Sequence, residues 1–429
     1  MSISAPTQPR HQIHAQNGTP PAPIAHVIRS DAEAVEIAER LAREFKKTAS
    51  ERDRERRFPL PEVEKLSQSG LLASIVPKEY GGAGISLVTL CKVLQILSAS
   101  DGSLGQIHQN HFHFLNYIAA FGTTEQKKHF LPGILSGKRL GNGLQERNVH
   151  IGPKLATILT PYGDGTFRLN GEKVYTTGAY IAHWLPILST TPEGTIVLVY
   201  VDREAPGVEV INDWNGMGQR NTLSGSAKFR DVTIVERSVF RRSFEGYSPH
   251  GLSYAQILHA AIDTGLAQGA LEETARFTRE NARPWSEAKV ERAGEDPHLI
   301  KQFGELVVEY QAAEALLIRA ATLLDVALAD DTNEEAGLQA VLAVSAARIQ
   351  SDRAALRISH ELFEFGGTRS TDEKWNLSRH WRDARTHTLH DPIRWKLHNF
   401  GNYHLNGTLP PRDGAKRGLV PNSSPNPRP

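Results

Sequence analysis

Thr195-Ile-Val-Leu-Val-Tyr-Val201 is a run of β-branched and aromatic residues, too short for a helix and preceded by Pro192 and Gly194, as a strand after a turn is. Three other stretches read the same way: Thr166-Phe-Arg-Leu169, Lys173-Val-Tyr-Thr-Thr177 and Ala227-Lys-Phe-Arg-Asp-Val-Thr-Ile234. Turns such as Gly163-Asp-Gly165 and Asn170-Gly171 separate them. The spacing predicts a β region from about Asn142 to Phe240. Outward on both sides the period becomes helical. From Ser30 to about Leu140, Ser30 and Glu33 form a capping-box pattern, and Val35, Ala38, Leu41, Ala42 and Phe45 follow at helical spacing. From Tyr254 to Leu405 long segments rich in Ala and Leu return.

An α+β chain is therefore expected, with helices, a β domain and helices again. The domains read as a disordered leader 1–28, a helical domain 29–141, a β domain 142–250, a helical bundle 251–408 and a proline-rich disordered tail 409–429. The charge-dense stretch Lys46 to Arg57 reads as a solvated helix face. Val76 to Gly84 reads as a loop, and its glycines lack the strand and helix that a dinucleotide fingerprint needs.

At 429 residues, 39% hydrophobic and 23% charged, the chain has an ordinary globular composition. A formal net charge of +1 gives no general attraction to nucleic acid or to a membrane surface. No run reaches the roughly 18 apolar residues of a membrane span. The single cysteine, Cys91, excludes an intramolecular disulfide and multi-cysteine metal sites, so a cytoplasmic location is expected. His108, His111 and His113 have no carboxylate among them at ligand spacing, so no metal is expected; His111 reads as a pocket wall.

The order of domains, with its local motifs, resembles the acyl-CoA dehydrogenase superfamily. The matching strings are Phe121-Gly-Thr-Thr-Glu-Gln-Lys127, Phe130-Leu-Pro-Gly-Ile-Leu-Ser-Gly137 and Leu169-Asn-Gly-Glu-Lys-Val-Tyr-Thr-Thr-Gly178. Gly216-Met-Gly-Gln-Arg-Asn-Thr222, Phe229-Arg-Asp-Val-Thr-Ile234 and Phe363-Glu-Phe-Gly-Gly367 follow in family order. Ala49-Ser-Glu-Arg-Asp-Arg54, Gln106-Ile-His-Gln-Asn-His-Phe112, Ala282-Arg-Pro-Trp285 and Thr386-His-Thr-Leu-His-Asp-Pro392 narrow the likeness. They resemble the flavin-dependent monooxygenase branch, which holds dibenzothiophene monooxygenases and sulfur-acquisition oxidoreductases of the SfnB type. The resemblance implies the acyl-CoA dehydrogenase fold: a helical N-domain, a central β-barrel-like domain and a C-terminal four-helix bundle, assembled as a homotetramer.

The family's dehydrogenases place a catalytic Glu at one of two positions, which align here with Ala255 and Asp391. Alanine cannot act as a base, and Asp391 is a methylene shorter and precedes Pro392. The resemblance implies instead that Asn142, Thr177, His387 and His390 surround the flavin edge and supply donors to reduced oxygen. His390 is the expected proton-handling group, since imidazole titrates near neutral pH. Gln106 and Asn110 occupy one face of a helix, where thiophene enzymes carry His and Tyr, and with His111 are expected to contact substrate. Arg283, Phe363, Gly366, Gly367 and Arg369 are implied to reach the cofactor of a neighbouring subunit. Arg220 to Ser226 reads equally as a substrate loop or a turn of the β domain.

The implied reaction is oxygenation of a small organosulfur compound by O2 and FMN, reduced by a separate flavin reductase, since the chain has no nicotinamide fingerprint. Two alternatives stay open: an FAD-dependent acyl-CoA dehydrogenase with Asp391 as base, and an amine N-hydroxylase.

Overall fold

The computed structural model describes residues 25–147, 155–241 and 247–412. Most of the expected leader and tail lies outside these residues. Ala25 and Ile28 are buried, so the packing of the first domain begins before the expected boundary at 29.

Six helices form the N-terminal domain: α1 Asp31–Lys46, α2 Ala49–Glu55, α3 Leu60–Gln68, α4 Leu87–Ser100, α5 Gly102–Phe121 and α6 Thr124–Leu135. Ser30 caps α1 by accepting from Glu33 N (3.2 Å). The reciprocal half of the box is absent, because the Glu33 carboxylate accepts from Arg29 N instead (2.7 Å). The complete capping box is at α6, between Thr123 and Gln126. The charge run after α1 is not a solvated face throughout. Arg52 is fully buried and pairs with Glu62 (2.9 Å) and Asp101 (2.8 Å). Asp101 in turn caps α5, accepting from Ser103 N and Leu104 N. Asp53 is buried against Arg382 (2.6 Å), far along the chain. A charge-dense string is solvated only where the fold leaves its ions unpaired.

The middle region is a seven-stranded mixed sheet. Its strands are β1 Ile158–Pro161, β2 Phe167–Lys173, β3 Trp184–Thr190, β4 Ile196–Asp202, β5 Val208–Ile211, β6 Ser226–Ile234 and β7 Val239–Phe240. They lie in the order β5-β6-β2-β1-β3-β4-β7, antiparallel except for β1 beside β3. Leu159, Leu169, Leu185, Val199 and Phe229 fill its core.

The C-terminal domain contains α7 Tyr254–Glu280, α8 Pro297–Ala329, α9 Glu334–Gly366, α10 Ser378–Thr388 and α11 Ile393–Asn406. The helices α7 to α10 pack as the bundle, and α11 lies on α9. The α5 helix packs against both α7 and α10 and thereby joins the N-terminal domain to the bundle. No helix among the described residues is long and apolar enough to cross a membrane.

Candidate active site

One wall of the site is made where β2 stops. The sequence predicts a strand through Thr177, but the ladder ends at Lys173 and the backbone turns left-handed at Tyr175 (φ 53°). Thr176 holds this turn by donating through both N (3.0 Å) and Oγ1 (2.9 Å) to Gly225 O. Gly178 (φ 72°) then donates to Thr222 O (3.2 Å). The turn leaves the Tyr175 ring 60% exposed beside Trp214. Asn142 donates from Nδ2 to Tyr175 O (3.1 Å), which fixes the amide orientation and leaves its Oδ1 buried without a partner.

Thr177 is buried and bonds Ser224 Oγ (2.7 Å); Ser224 bonds Thr222 Oγ1 (2.7 Å), which donates to Gln219 O (3.0 Å). A carbonyl can only accept, so the chain of hydroxyl protons runs Thr177 to Ser224 to Thr222 to Gln219. Thr177 therefore spends its proton inward and offers lone pairs outward. The segment Arg220 to Ser226 is a strap rather than an exposed loop, since Asn221, Thr222 and Ser224 are buried. It is tied to the bundle by Gln219 N donating to Asp383 Oδ1 (2.5 Å), one turn before His387 on α10.

The opposite wall comes from α7, α9 and α10. His387 is buried, with Nδ1 on Asp263 Oδ1 (2.5 Å) and Nε2 on His259 Nδ1 (3.0 Å). Asp263 also pairs with the fully buried Arg348. Burial alone would raise the Asp263 pKa, but His387 and Arg348 outweigh it and keep the carboxyl below its ordinary range. Burial holds His387 below the usual imidazole value even against Asp263. It holds His259 well below that value, with the neighbouring His390 and His387 adding to the effect. An ionised Asp263 only accepts, so neutral His387 donates from Nδ1 and accepts at Nε2, and His259 donates from Nδ1.

His390 lies in the turn after α10, its side chain half exposed, with its ring on that of His259 (4.1 Å between centroids). Asp391, the dehydrogenase-base alternative, is clamped rather than free. It accepts from Gln256 Nε2 and lies 3.5 Å from Lys396 Nζ and 3.7 Å from His390 Nδ1. Burial would raise its pKa, but the nearby His390 and the charge of Lys396 drive it below the carboxylate range.

Between the walls runs α5. Ile107 packs at Gly178, and Gln109 Nε2 lies 3.5 Å from Ala255 O at the start of α7. Gln106 and Asn110 are buried on this helix, and Gln106 Oε1 has no partner. His111 does not face a ligand. Its Nε2 donates to Leu72 O (2.7 Å) and its Nδ1 accepts from Leu140 N (3.0 Å), so both ring nitrogens are used as a strut. His108 is turned to its own helix at Leu104 O (2.6 Å). Among the described residues no group of three His, Cys, Asp or Glu could hold a metal.

The remaining predicted residues form a separate group. Arg369 donates to Asn281 O (2.7 Å) at the C-terminal end of α7, beside exposed Arg283 and Trp285. Gly366 lies under the Phe277 ring, where a Cβ would stand 2.9 Å from the ring, and Phe363 packs with Phe277 and Leu362. From His259 to Asn281 the helix rises about 33 Å. Within one chain this group and the histidines cannot hold the same end of one ligand. Arg283→Ala is expected to weaken flavin binding roughly 10- to 100-fold, the worth of a charge-assisted bond to phosphate, with little change in Tm. Titration of flavin fluorescence checks this, and an unchanged dissociation constant would make Arg283-Pro-Trp a packing motif.

Sequence reading missed His259, Asp263, Arg348, Gln256 and Ser224. A signal existed for two of them: His259 and Asp263 are four apart in an otherwise apolar stretch of α7, and a buried charge there must be paired.

Family models for the acyl-CoA dehydrogenase N-terminal and C-terminal domains match residues 32–138 and 257–395. A dibenzothiophene monooxygenase of Mycolicibacterium goodii is 34% identical over 393 residues, covering 88% of this chain and 94% of that protein. The crystal structure of FMN-bound TdsC from Paenibacillus sp. A11-2 superposes with a TM-score of 0.84 at 32% identity, over 88% of this chain and 98% of that one. The methanesulfinate monooxygenase MsuC from Pseudomonas fluorescens superposes with a TM-score of 0.81 at 32% identity, over 88% and 97% of the two chains. With the helix–sheet–helix order, these matches make the chain a member of the acyl-CoA dehydrogenase family, in its flavin-dependent monooxygenase branch.

Proposed function

We propose that this protein is an FMNH2-dependent monooxygenase acting on a small alkyl sulfur compound, working as a homo-oligomer with a separate flavin reductase. The observation that carries the reading is the pair of unmet atoms Asn142 Oδ1 and Gln106 Oε1, together with the Thr177 hydroxyl oxygen, whose bond is to Ser224. All are acceptors, and a buried acceptor without a partner costs about 1–3 kcal/mol. A reduced isoalloxazine ring carries N–H groups that would satisfy them. The residues present therefore fit the cofactor. A dehydrogenase is disfavoured by Asp391, because a base must titrate near the working pH and this carboxyl is held far below it.

Bound reduced FMN supplies two electrons to O2, so that one oxygen atom enters the substrate and the other leaves as water. The chain's own residues do the rest. Asn142 and Thr177 orient the ring through their acceptors. Thr177 keeps that role because its proton is committed to Ser224. His390 holds or returns a proton at its imidazole, at the edge where the α10 turn meets α7. Its neighbours His259 and His387 are neutral and place no competing positive charge beside it. Buried Gln106 and Asn110 exclude bulk water and offer amides to the substrate.

These two amides also favour polar substrates. A sulfur group that bears oxygen and keeps a lone pair, such as a sulfoxide or sulfinate, pairs with an amide, whereas a flat tricyclic thiophene leaves both unpaired at about 1–3 kcal/mol each. In assays with NADH and an FMN reductase, alkyl sulfinates and sulfoxides are expected to be oxygenated at least about tenfold faster than dibenzothiophene. No product is expected without the reductase. Faster turnover of dibenzothiophene would overturn the reading of Gln106 and Asn110. Tightly bound FAD that is bleached anaerobically by an acyl-CoA would overturn the monooxygenase reading itself.

A further inference from the structure

Two arms of contacts begin at one buried residue and end on either side of His390. Arg348, on α9, is fully buried. Along the first arm it pairs with Asp263, Asp263 binds His387 Nδ1, His387 Nε2 accepts from His259, and the His259 ring lies against His390. Along the second, Arg348 Nε donates to Gln256 Oε1 (3.3 Å), and Gln256 Nε2 donates to Asp391, which faces His390 Nδ1 at 3.7 Å. The arms run on α7 and α10 and close into a ring of seven residues. We propose that this ring is a two-armed clamp that positions His390, with Arg348 as its root and His259 and Gln256 as its working members.

The physical case is conformational. His390 sits in a half-exposed turn whose backbone is held by the His390 N to His387 O bond (3.1 Å), which does not fix the direction of the ring. A free imidazole in such a turn samples several rotamers, and a misplacement of about 1 Å at a reacting group can cost on the order of 100-fold. The first arm supplies a flat platform whose own orientation is locked by its bond to His387. The second supplies a carboxylate that the Nδ1 edge must face. Both depend on Arg348, which satisfies Asp263 and aligns Gln256 at once. None of the ring members besides His390 needs to touch substrate, so they are positioning residues. The proposal rests on the reading of His390 as the proton-handling group.

The test uses the full chain with two neutral variants, His259→Phe and Gln256→Leu, since Asp263→Asn would strand a buried arginine charge and fail to fold. The first readout is hydrogen exchange of the peptide spanning Leu389 to Lys396, measured without flavin. Exchange is expected to quicken about tenfold in each single variant and further in the double, while α8 peptides stay unchanged. The second is the fraction of NADH recovered as oxygenated product rather than hydrogen peroxide, which is expected to fall on the order of 10- to 100-fold with substrate KM nearly constant. His259→Gln, which keeps a donor toward His387 but no ring, is expected to fall between wild type and His259→Phe in exchange. Unchanged exchange would overturn the clamp. Faster exchange with an unchanged product fraction would overturn it too, since the ring would then be packing alone. A wild-type enzyme that oxygenates nothing would instead refute the proposed function, and the exchange arm would still decide whether the clamp exists.

Discussion

His390→Ala is expected to cut oxygenated product by about 10²–10⁴-fold while leaving flavin affinity nearly unchanged, the loss typical of a positioned proton-transfer group. The same NADH should be consumed, but its electrons should leave as hydrogen peroxide. The uncoupling follows from where His390 stands. It contributes nothing to the fold that its neighbours do not already supply: the Asp263–His387–His259 arm is complete beneath it, and Asp391 keeps Gln256 and Lys396. Removing an imidazole whose side chain is half exposed leaves no buried orphan, so stability should change little. His387→Ala is the contrasting case, since it leaves Asp263 Oδ1 and His259 Nδ1 buried without partners and should fail through stability. Simultaneous assay of product, peroxide and NADH separates the two. A His390→Ala enzyme with the wild-type product fraction would return this residue to a structural role and leave proton delivery to water or to another side chain.

The domain order was legible because the period of the hydrophobic pattern changes twice, and strands β4 and β6 fall where their runs of β-branched residues lie. The reading failed where tertiary bonds outcompete the local pattern. Val174 to Thr177 looks like a strand, but Thr176 and Gly178 find partners in the 222–225 strap and the chain turns left-handed at Tyr175. That failure falls at the site, as strained backbone often does. Likewise Arg52 and Asp53 carry the composition of a solvated face yet are buried by partners 49 and 329 residues away. Such pairings leave no trace in a local window.

Function was legible through motifs that sit at chain turns, such as Thr386 to Pro392, but the support beneath them was not. The sequence shows His387 and His390 three apart on a helix end. It does not show that His259 from α7 inserts between them in space, accepting one ring on its face and bonding the other at its Nδ1. The apolar length of α7 hides the insertion, because a lone His and Asp in such a helix read as satisfied core residues until their partners are known. The same logic separates His111 from the substrate: its two backbone bonds come from Leu72 and Leu140, both distant in sequence.

Mild acid should destabilise this protein, and the reason is the number of histidines kept neutral by the fold. Burial pushes His108 down to about 4 and His111 to about 3, and pushes half-buried His183 to about 4 with help from Arg139. A histidine with a depressed folded pKa binds fewer protons folded than unfolded, so its stabilising contribution is complete above about 6.5 and is lost as the pH falls. By pH 4.5 His108 and His111 have each lost about 2.5 kcal/mol by this linkage, and the partly solvated His183 roughly half of that. His259 and His387 act in the same direction. Two buried carboxyls act in the opposite one: burial raises Asp383 to about 7, with Asp53 adding to it, and raises Asp352 to about 6. Their contributions are complete at low pH and are lost as the pH rises through those values, so acid returns about 4–5 kcal/mol through them. The balance still favours loss, by about 1–2 kcal/mol from these five groups, before the active-site histidines add theirs. Between pH 6.5 and 4.5 the melting temperature is therefore expected to drop by about 2–5 °C. His111→Gln, which can still bridge Leu72 O and Leu140 N, removes one of the titrating rings and should flatten the slope by about 2 kcal/mol over that range. Scanning fluorimetry of both proteins across that range decides the matter. A flat profile in the wild type, or an identical slope in His111→Gln, would mean that these rings are hydrated and already titrate normally in the folded chain.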